Sequence, residues 1–346
     1  MSNTDVSKLA PAAAKQKINI AGLLIEGRAF AALLVIIVFF SLMSPNYLTV
    51  SNLLIMSSHV AIYGILAIGM LLVILTGGID LSVGSVLGLA GIIAGFLMQG
   101  VTFNSMGVIL YPPVWAVVVM TLAFGAFLGS ITGVLVAYMR VPAFVATLGI
   151  LYVARGIALL ITNGLTYNNL GGNDTYGNTG FDWLGFNRLF GIPVSVVVLA
   201  ILAAVFGIML ARSAFGRWIY ATGGNQRAAE LSGVPVPFVH VCVYALSGML
   251  ASVAGLVLSS QLTSAGPTAG FTYEMIAIAA VVIGGASLNG GRGNVRGTML
   301  GAFVIGFLSD GLVIIGVSAY WQTVFTGAVI VLAVLLNSLQ YGGKRF

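Results

Sequence analysis

The scarcity of charge is the feature that most limits how this chain can fold. Only 6% of its 346 residues are charged, whereas 59% are hydrophobic. Soluble domains carry about 25% charged residues, so the polar side chains here cannot cover the surface of a water-soluble globule. Apolar side chains must therefore face lipid. We predict an all-α fold, a polytopic bundle of transmembrane helices.

Apolar runs of the length that crosses a bilayer, about 20 residues, alternate with turn and charge signals. They predict ten spans, in chain order 29–43, 59–75, 83–99, 114–138, 142–162, 191–210, 238–258, 273–289, 297–316 and 319–340. The run at 273–289 is short for a full crossing, so a re-entrant helix is an alternative there. Since ten is an even number, both termini are expected on the same side of the membrane.

The distribution of positive charge indicates on which side of the membrane the two termini lie. Cytoplasmic loops of membrane proteins are enriched in Lys and Arg. If both termini are cytoplasmic, every one of the 14 Lys and Arg residues falls in a cytoplasmic segment except two. These are Arg155, inside a span, and Arg188, in an outer loop. We therefore predict cytoplasmic N- and C-termini.

The predicted domain organisation is simple. Residues 1–28 form a polar, basic cytoplasmic tail, because a cleavable signal peptide would place its apolar stretch much closer to the start. Residues 29–340 form the transmembrane domain, which contains a long cytoplasmic loop at about 211–237. Residues 341–346 form a second cytoplasmic tail. We expect no separate soluble domain.

The sequence lacks the residues that several classes of function require. None of the four lysines lies in a G-x-x-x-x-G-K-[ST] loop, so the chain has no ATPase site of its own. A single cysteine, Cys242, and two histidines, His59 and His240, make a metal centre improbable. We therefore expect no enzyme activity, no metal and no cofactor bound by this chain. A proton-driven carrier usually has acidic groups within its spans, and only Asp310 and Glu274 could serve.

The loop at 211–237 contains the signals of a short helix. Asn225 is a suitable N-cap, Gln226–Ser232 favours helix, Gly233 suits the left-handed C′ position, and Pro235 prevents continuation. The helix would be about 10 Å long. Its small residues would let another backbone approach closely, which suits docking of a separate motor subunit. The alternative is an ordinary capped interhelical loop.

Seven ordered blocks of the sequence carry a family resemblance. They are PNYLTVSNL (45–53), LTGGIDLSVGS (75–85), VPAFVATLG (141–149), ARGIALLITNG (154–164), FGRWIYATGGNQRAAELSGV (215–234), IAAVVIGGASLNGGRGNVRGTMLGA (278–302) and YWQTVFTGAVIVLAV (320–334). From about Ser44 to Asn337 the chain resembles the membrane permease subunits of monosaccharide ATP-binding-cassette importers, the ribose, arabinose, xylose and galactose group. The resemblance implies a sugar importer of the bacterial cytoplasmic (inner) membrane.

The resemblance also implies partners. They are a cytoplasmic ATPase that binds ATP and Mg²⁺, an extracytoplasmic sugar-binding protein, and a second permease copy in a homodimer or heterodimer. The helix at 223–233 would be the coupling helix seated in the ATPase. Its expected coupling residues are Gly223, Gly224, Asn225, Gln226, Ala228, Ala229 and Gly233. One departure concerns the E-x-D-A-I-A-A block, where Ile276 stands in place of the acidic residue that many relatives carry.

Seven residues are candidates for the translocation path or its gate: Asp80, Ser82, Phe144, Thr147, Arg155, Glu274 and Asp310. Asp80 lies in GGIDLSVGS, where paired glycines break the helix and Ser82 could cap the next one; the alternative is a purely structural cap. Arg155 and Asp310 each lie about 20 Å above the inner boundary. An unpaired charge there is costly, so we expect the two to pair or to flank the path, with Glu274 as the competing partner of Arg155.

Two alternatives to the sugar importer remain open from the sequence. A branched-chain amino acid permease has distantly similar glycine-rich blocks, and a self-sufficient secondary carrier or channel would need no ATPase. The G-x-x-x-G steps at Gly84, Gly91, Gly125, Gly129 and Gly297 are predicted to be packing faces rather than binding sites.

Overall fold

The computed structural model describes residues 27–103 and 107–342. Its helices are α1 (Arg28–Met43), α2 (Val50–Leu75), α3 (Val83–Met98), α4 (Val114–Ala137), α5 (Ala143–Thr162), α6 (Trp183–Phe186), α7 (Val194–Arg212), α8 (Ala214–Gly224), α9 (Gln226–Leu231), α10 (Val236–Leu262), α11 (Tyr273–Ile283), α12 (Val295–Ile314) and α13 (Ala319–Gly342). Residues 1–26 of the predicted N-terminal tail and 343–346 of the C-terminal tail lie outside the described residues.

Each of the ten predicted spans overlaps a helix, although the helix within 273–289 ends at Ile283. Within the described ranges, six of these helices, α2, α4, α5, α7, α10 and α12, are long and apolar enough to cross a membrane. Four others are apolar but shorter: Ala29–Met43, Val83–Met98, Tyr273–Ile283 and Ala319–Leu332. The fold is therefore a mostly helical, polytopic membrane bundle. Ten crossings and cytoplasmic termini remain predictions.

Helix α2 begins nine residues earlier than predicted, at Val50 instead of 59. Thr49 caps it, since its side chain accepts a hydrogen bond from Asn52 N. The serines that follow are compatible with the helix because Ser57 and Ser58 donate to the carbonyls four residues before them. Polar residues at 51–58 thus belong to the helix, although they interrupt the apolar pattern of the sequence.

Helices α2 and α10 form the centre of the bundle. The side chains of α2 from Ile65 to Leu75 are buried almost without exception. α2 packs against α10, α12, α11 and α7, while α10 packs against α4, α2 and α3. These two helices are therefore shielded from lipid by the others, and they fix the positions of the loops at both ends.

Glycines bring the backbones of packed helices together, as predicted from the G-x-x-x-G steps. A methyl group added to Gly129 on α4 would overlap Tyr244 O and lie 3.0 Å from Ala245 Cα on α10. One added to Gly301 on α12 would overlap Ala280 O on α11 and lie 3.0 Å from Gly284 N. Gly91 of α3 contacts two elements, because a methyl group there would overlap Ser259 Oγ on α10 and lie 3.7 Å from Ala265 Cβ in the segment that follows α10.

Short strands join the loops at one end of the bundle. β1 (Val101–Phe103) and β2 (Val108–Leu110) form an antiparallel hairpin. β3 (Tyr167–Asn168) pairs with β6 (Ser264–Ala265), and β4 (Arg188–Leu189) pairs with β5 (Ile192–Pro193), both antiparallel. The β3–β6 pair holds the long loop after α5 against the end of α10.

The short helix α11 has 11 residues, about 16 Å of helix. It is too short to cross a bilayer by itself, which agrees with the brevity predicted for 273–289. Non-helical residues 266–272 connect β6 to its first turn. We call residues 266–272 the irregular segment. It lies beside α3, so non-helical backbone and helix together replace one continuous span.

We predict that Gly129→Ala destabilises the bundle by about 1–3 kcal/mol, because the added methyl group meets backbone atoms that cannot rotate away. Thermal unfolding of the purified protein in detergent would measure the effect. Gly207→Ala is the matched control, since a methyl group there meets only Val295 Cβ at 3.9 Å. Equal stability of the two variants would contradict the proposed backbone packing of α4 on α10.

Candidate functional site

A contact between glycines connects the predicted coupling loop to the transmembrane helices. A methyl group added to Gly223 would overlap Leu75 O, at the end of α2, and lie 2.6 Å from Gly291 N. Gly291 N donates to Leu75 O at 2.9 Å. A methyl group added to Gly290, which has φ +84°, would lie 2.9 Å from Gly223 O. We call Leu75, Gly223, Gly290 and Gly291 the glycine junction.

A tyrosine strengthens this connection. Tyr220 on α8 donates from its hydroxyl to Gly293 O at 2.8 Å. Burial raises the pKa of the Tyr220 hydroxyl, so it remains a donor at neutral pH. Helix α8 is therefore held to the turn at 284–294 both by backbone contact and by a side-chain hydrogen bond.

The short helix predicted after Asn225 is confirmed. The Asn225 side chain accepts a hydrogen bond from Ala228 N at 3.0 Å, α9 covers Gln226–Leu231, and Gly233 has φ +84°. The sequence did not predict α8, which precedes it. Its N-cap Ser213, which accepts from Gly216 N, was the available signal, but the residues of α8 fall within the loop predicted at 211–237.

The predicted coupling residues divide between two faces. Gly224, Asn225, Gln226 and Ala228 are exposed, whereas Ala229 is buried against the rest of the chain. A methyl group added to Gly224 would meet nothing within 4 Å, in contrast to its neighbour Gly223. Gly233 is exposed as well, so these five residues can contact a partner directly. The prediction that Ala229 lets a partner approach is wrong for this arrangement.

Asp80 lies in the break between α2 and α3 and is 1% exposed. Its Oδ1 accepts from Ser82 N at 2.9 Å and from Ser82 Oγ at 2.6 Å, while Oδ2 accepts from Ser247 Oγ at 2.8 Å. Ser82 occupies the N-cap position of α3, but its side chain makes no cap hydrogen bond. The capping role expected for that hydroxyl is wrong. Asp80 instead links the break to α10.

Helix α5 contacts the same break. The buried Thr147 hydroxyl donates to Ile79 O at 3.3 Å. Phe144, three residues earlier, is 57% exposed and points away from the protein interior. The two candidates lie one turn apart on α5 and differ in exposure, and only Thr147 touches Asp80's loop.

Arg155 satisfies the backbone of the irregular segment. Its guanidinium donates to Pro267 O at 2.7 Å and to Ala269 O at 2.8 Å. Non-helical backbone leaves carbonyls without intrahelical donors, which is costly away from water. Gly88 of α3 allows the segment to approach, because a methyl group there would lie 2.6 Å from Ala269 O. Arg155 and the glycines of α3 together hold this segment inside the bundle.

The expected pairing of Arg155 with Asp310 is wrong. Asp310 Oδ1 lies 2.9 Å from His59 Nδ1 instead, across the contact of α12 with α2. His59 therefore forms a hydrogen bond with Asp310. Glu274 interacts electrostatically with Arg155, but no ion pair between them occurs in the described ranges.

The candidates thus form two neighbouring groups and one separate pair. Asp80, Ser82 and Thr147 meet at the α2–α3 break. Arg155 and Glu274 lie at the irregular segment, which reaches the first turn of α3: a methyl group added to Gly84 would lie 3.5 Å from Glu274 N. Asp310 and His59 form the pair, and Asp310 also interacts electrostatically with Tyr273 at the start of α11. Ser247 joins the first group without any local sequence signal, since it is 167 residues from Asp80.

No group of three or more metal-binding side chains occurs in the part of the chain that the structure describes.

Comparisons with known proteins identify relatives along most of the chain. Residues 52–334 match a family model described as "Branched-chain amino acid transport system / permease component". The chain is 43% identical over 315 residues to the ribose import permease protein RbsC of Escherichia coli K12, covering 91% of this chain and 94% of the relative. It is 40% identical over 324 residues to RbsC of Bacillus subtilis, covering 93% and 96%.

A third relative has a different name. The chain is 35% identical over 363 residues to the xylose transport system permease protein XylH of Escherichia coli K12, covering 89% of this chain and 90% of the relative. No solved structure matches the chain.

We predict that Arg155→Met exposes the irregular segment, because two backbone carbonyls lose their donors. Hydrogen exchange followed by mass spectrometry should show at least about ten-fold faster exchange in the peptide at 266–272 than in the unmodified protein. This is the change expected when the free energy of local opening falls by about 1.4 kcal/mol. Arg155→Lys is the control that keeps a donor and should retain most of the protection. Unchanged exchange in Arg155→Met would contradict the assigned role.

A double-mutant cycle tests the revised pairing. We expect His59→Ala and Asp310→Asn to be coupled by roughly 0.5–1 kcal/mol of unfolding free energy, because the two side chains are in contact. The charge exchange that combines Arg155→Asp with Asp310→Arg should show no rescue, because these side chains do not touch. Stability restored in that exchange would show that Arg155 and Asp310 pair after all.

Proposed function

Because this chain belongs to the permease family whose model spans residues 52–334, and to the monosaccharide importers within it, we propose that it carries a sugar across the membrane as the permease subunit of an ATP-binding-cassette importer. The family description names branched-chain amino acids. However, relatives that cover about nine-tenths of this chain are import permeases for ribose and xylose. These relatives favour a sugar over an amino acid, and a transport subunit over an enzyme or a self-sufficient carrier.

The proposed assembly contains partners that this chain does not replace. A separate cytoplasmic ATPase would bind ATP and Mg²⁺ and hydrolyse the nucleotide, because this sequence has no phosphate-binding loop. An extracytoplasmic binding protein would deliver the sugar, and a second permease copy would complete the pathway. The compartment proposed is the bacterial cytoplasmic membrane, with both termini in the cytoplasm and ten crossings.

The glycine junction is the observation that carries the coupling proposal. On the outward face of the α8–α9 element, Asn225, Gln226 and Ala228 are free to contact the ATPase. On its inward face, Gly223 presses on Leu75 O with no side chain between the two backbones. A displacement of α8–α9 by the ATPase would therefore move the end of α2 directly, since no flexible side chain can absorb it.

The proposed movement continues from α2 to the irregular segment. Leu75 ends α2 five residues before Asp80, whose carboxylate holds both Ser82 and Ser247. The next helix, α3, begins at Val83 and contacts the irregular segment through its glycines. A contiguous set of packed groups thus joins the ATPase-facing surface to non-helical backbone inside the bundle, as coupling between sites requires.

We place the sugar path beside the irregular segment. Non-helical backbone at membrane depth occurs where it is buried in protein or lines a cavity, and interrupted helices often form substrate sites in transporters. Arg155 and Glu274 border this segment and supply hydrogen-bonding groups for sugar hydroxyls. Phe144 precedes Arg155 by eleven residues on α5, about 16 Å, so its exposed ring would meet the sugar further along the path and not at the irregular segment. Weak contacts suffice here, because the binding protein would supply selectivity.

The first experiment is to purify the tagged chain from its native membrane in mild detergent and identify by mass spectrometry what accompanies it. We expect an ATPase with phosphate-loop motifs, near one per permease. A partner-free chain that moves solute into liposomes under an ion gradient would overturn the importer assignment in favour of a secondary carrier.

Two variants separate docking from coupling in the reconstituted importer. Ala228→Trp should abolish association with the ATPase, because it enlarges the exposed face of α9. Gly223→Ala should retain association but lower the sugar-stimulated ATPase rate at least about ten-fold, the change expected when about 1.4 kcal/mol of coupling is lost. Ala221→Ser, exposed on the same helix α8, is the control. Normal stimulation in Gly223→Ala would refute the role of the glycine junction.

A further inference from the structure

A cavity of about 460 Å³ lies at the same end of the bundle as the glycine junction. We call it the inner cavity. Residues of four segments line it: those that follow α2 at 76–78, the α4–α5 turn at 136–143, helix α9, and the beginning of α10 at 236–244. Its volume falls in the range of small-molecule sites, about 300–1,000 Å³. Apart from Gln226, none of the residues given a role above lines this cavity.

Two buried polar groups beside the inner cavity have no protein partner. His240 is 9% exposed and Tyr244 is fully buried. Neither His240 Nδ1 nor the Tyr244 hydroxyl makes a hydrogen bond within the described residues. Leaving a buried donor or acceptor unpaired costs about 1–3 kcal/mol each, and most such groups in proteins are satisfied. Both residues line the same cavity, which points to a ligand that would pair with them.

The other polar groups of the lining define the ligand's chemistry. Arg140 supplies donors, Glu230 supplies acceptors, and Gln226 supplies both. The positive and negative charges balance, so neither an anion nor a cation is favoured. Valine and proline side chains contribute apolar surface. A lining of mixed donors and acceptors with apolar patches suits an uncharged molecule whose hydroxyl groups each donate and accept.

We propose that the inner cavity binds the transported sugar from the cytoplasmic side, as a regulatory site separate from the path at the irregular segment. This inference rests on the proposed function for the identity of the sugar. The ligand would contact α9 and the α4–α5 turn at once, so occupancy would restrain the ATPase-docking helix. Accumulated cytoplasmic sugar would thereby slow its own import.

The test starts from the complete importer in proteoliposomes, where uptake of labelled D-ribose, D-xylose, L-arabinose and D-galactose identifies the transported sugar. That sugar is then added to the permease–ATPase complex in nanodiscs without the binding protein. Saturation-transfer NMR should detect it, and Tyr244→Phe and Arg140→Gln should each weaken binding at least five-fold. Arg217→Gln is the matched control, because Arg217 is exposed on the neighbouring helix α8 and does not line the cavity.

A second readout separates regulation from simple binding. Sugar enclosed on the cytoplasmic side should lower binding-protein-stimulated ATPase activity in the unmodified importer and have at least five-fold less effect in Tyr244→Phe. Undetectable binding, binding unchanged in both cavity variants, or tighter binding of the corresponding sugar phosphate would overturn the inference. Uptake that persists in any of these cases would leave the proposed function standing, whereas absence of sugar uptake would refute that function first.

Discussion

Direct contact between backbones, at positions without side chains, is the constraint on which this structure depends. In lipid, helices gain little from burying apolar surface against each other, so association relies on close van der Waals packing. Gly129 on α4 and Gly301 on α12 provide that closeness between neighbouring helices, and Gly223 provides it between α8 and the end of α2. The same physical device thus assembles the bundle and connects it to its proposed motor. Any residue larger than glycine at these positions would push the two backbones apart and so remove their contact.

A second constraint follows from breaking helices inside the bundle. Each break leaves backbone N–H and C=O groups to which lipid cannot hydrogen-bond. The few charged side chains of this sequence supply hydrogen bonds to these groups instead. Arg155 donates to two carbonyls of the irregular segment, and Asp80 accepts from the backbone and two hydroxyls at the α2–α3 break. With so few charges in the sequence, their positions mark where the regular structure stops. The breaks in turn are the places where the bundle can change shape or admit a polar substrate.

The sequence was sufficient for features that depend on local patterns. Helix positions, the Asn225 cap and the glycine packing faces follow from periodicity and residue type within a few turns. Contacts between side chains that are far apart in the sequence cannot be predicted from such local patterns. Arg155 and Asp310 have similar calculated depths, yet depth along an axis says nothing of the direction in which a side chain points, and Asp310 faces His59. The contact of Asp80 with Ser247 and the burial of Ala229 depend equally on how helices are arranged around α2 and α10.

The two faces of the α8–α9 element are subject to different rules of substitution. Its inward contact consists of main-chain atoms around Gly223 and Leu75, so it is the same for every sequence that keeps glycine there. Its outward surface consists of side chains such as Gln226, which can change without disturbing the fold. Among homologous importers, the choice of ATPase could therefore diverge while the mechanical connection stays unaltered. Exchanging only the exposed residues of α9 should be enough to make one permease accept the motor of another.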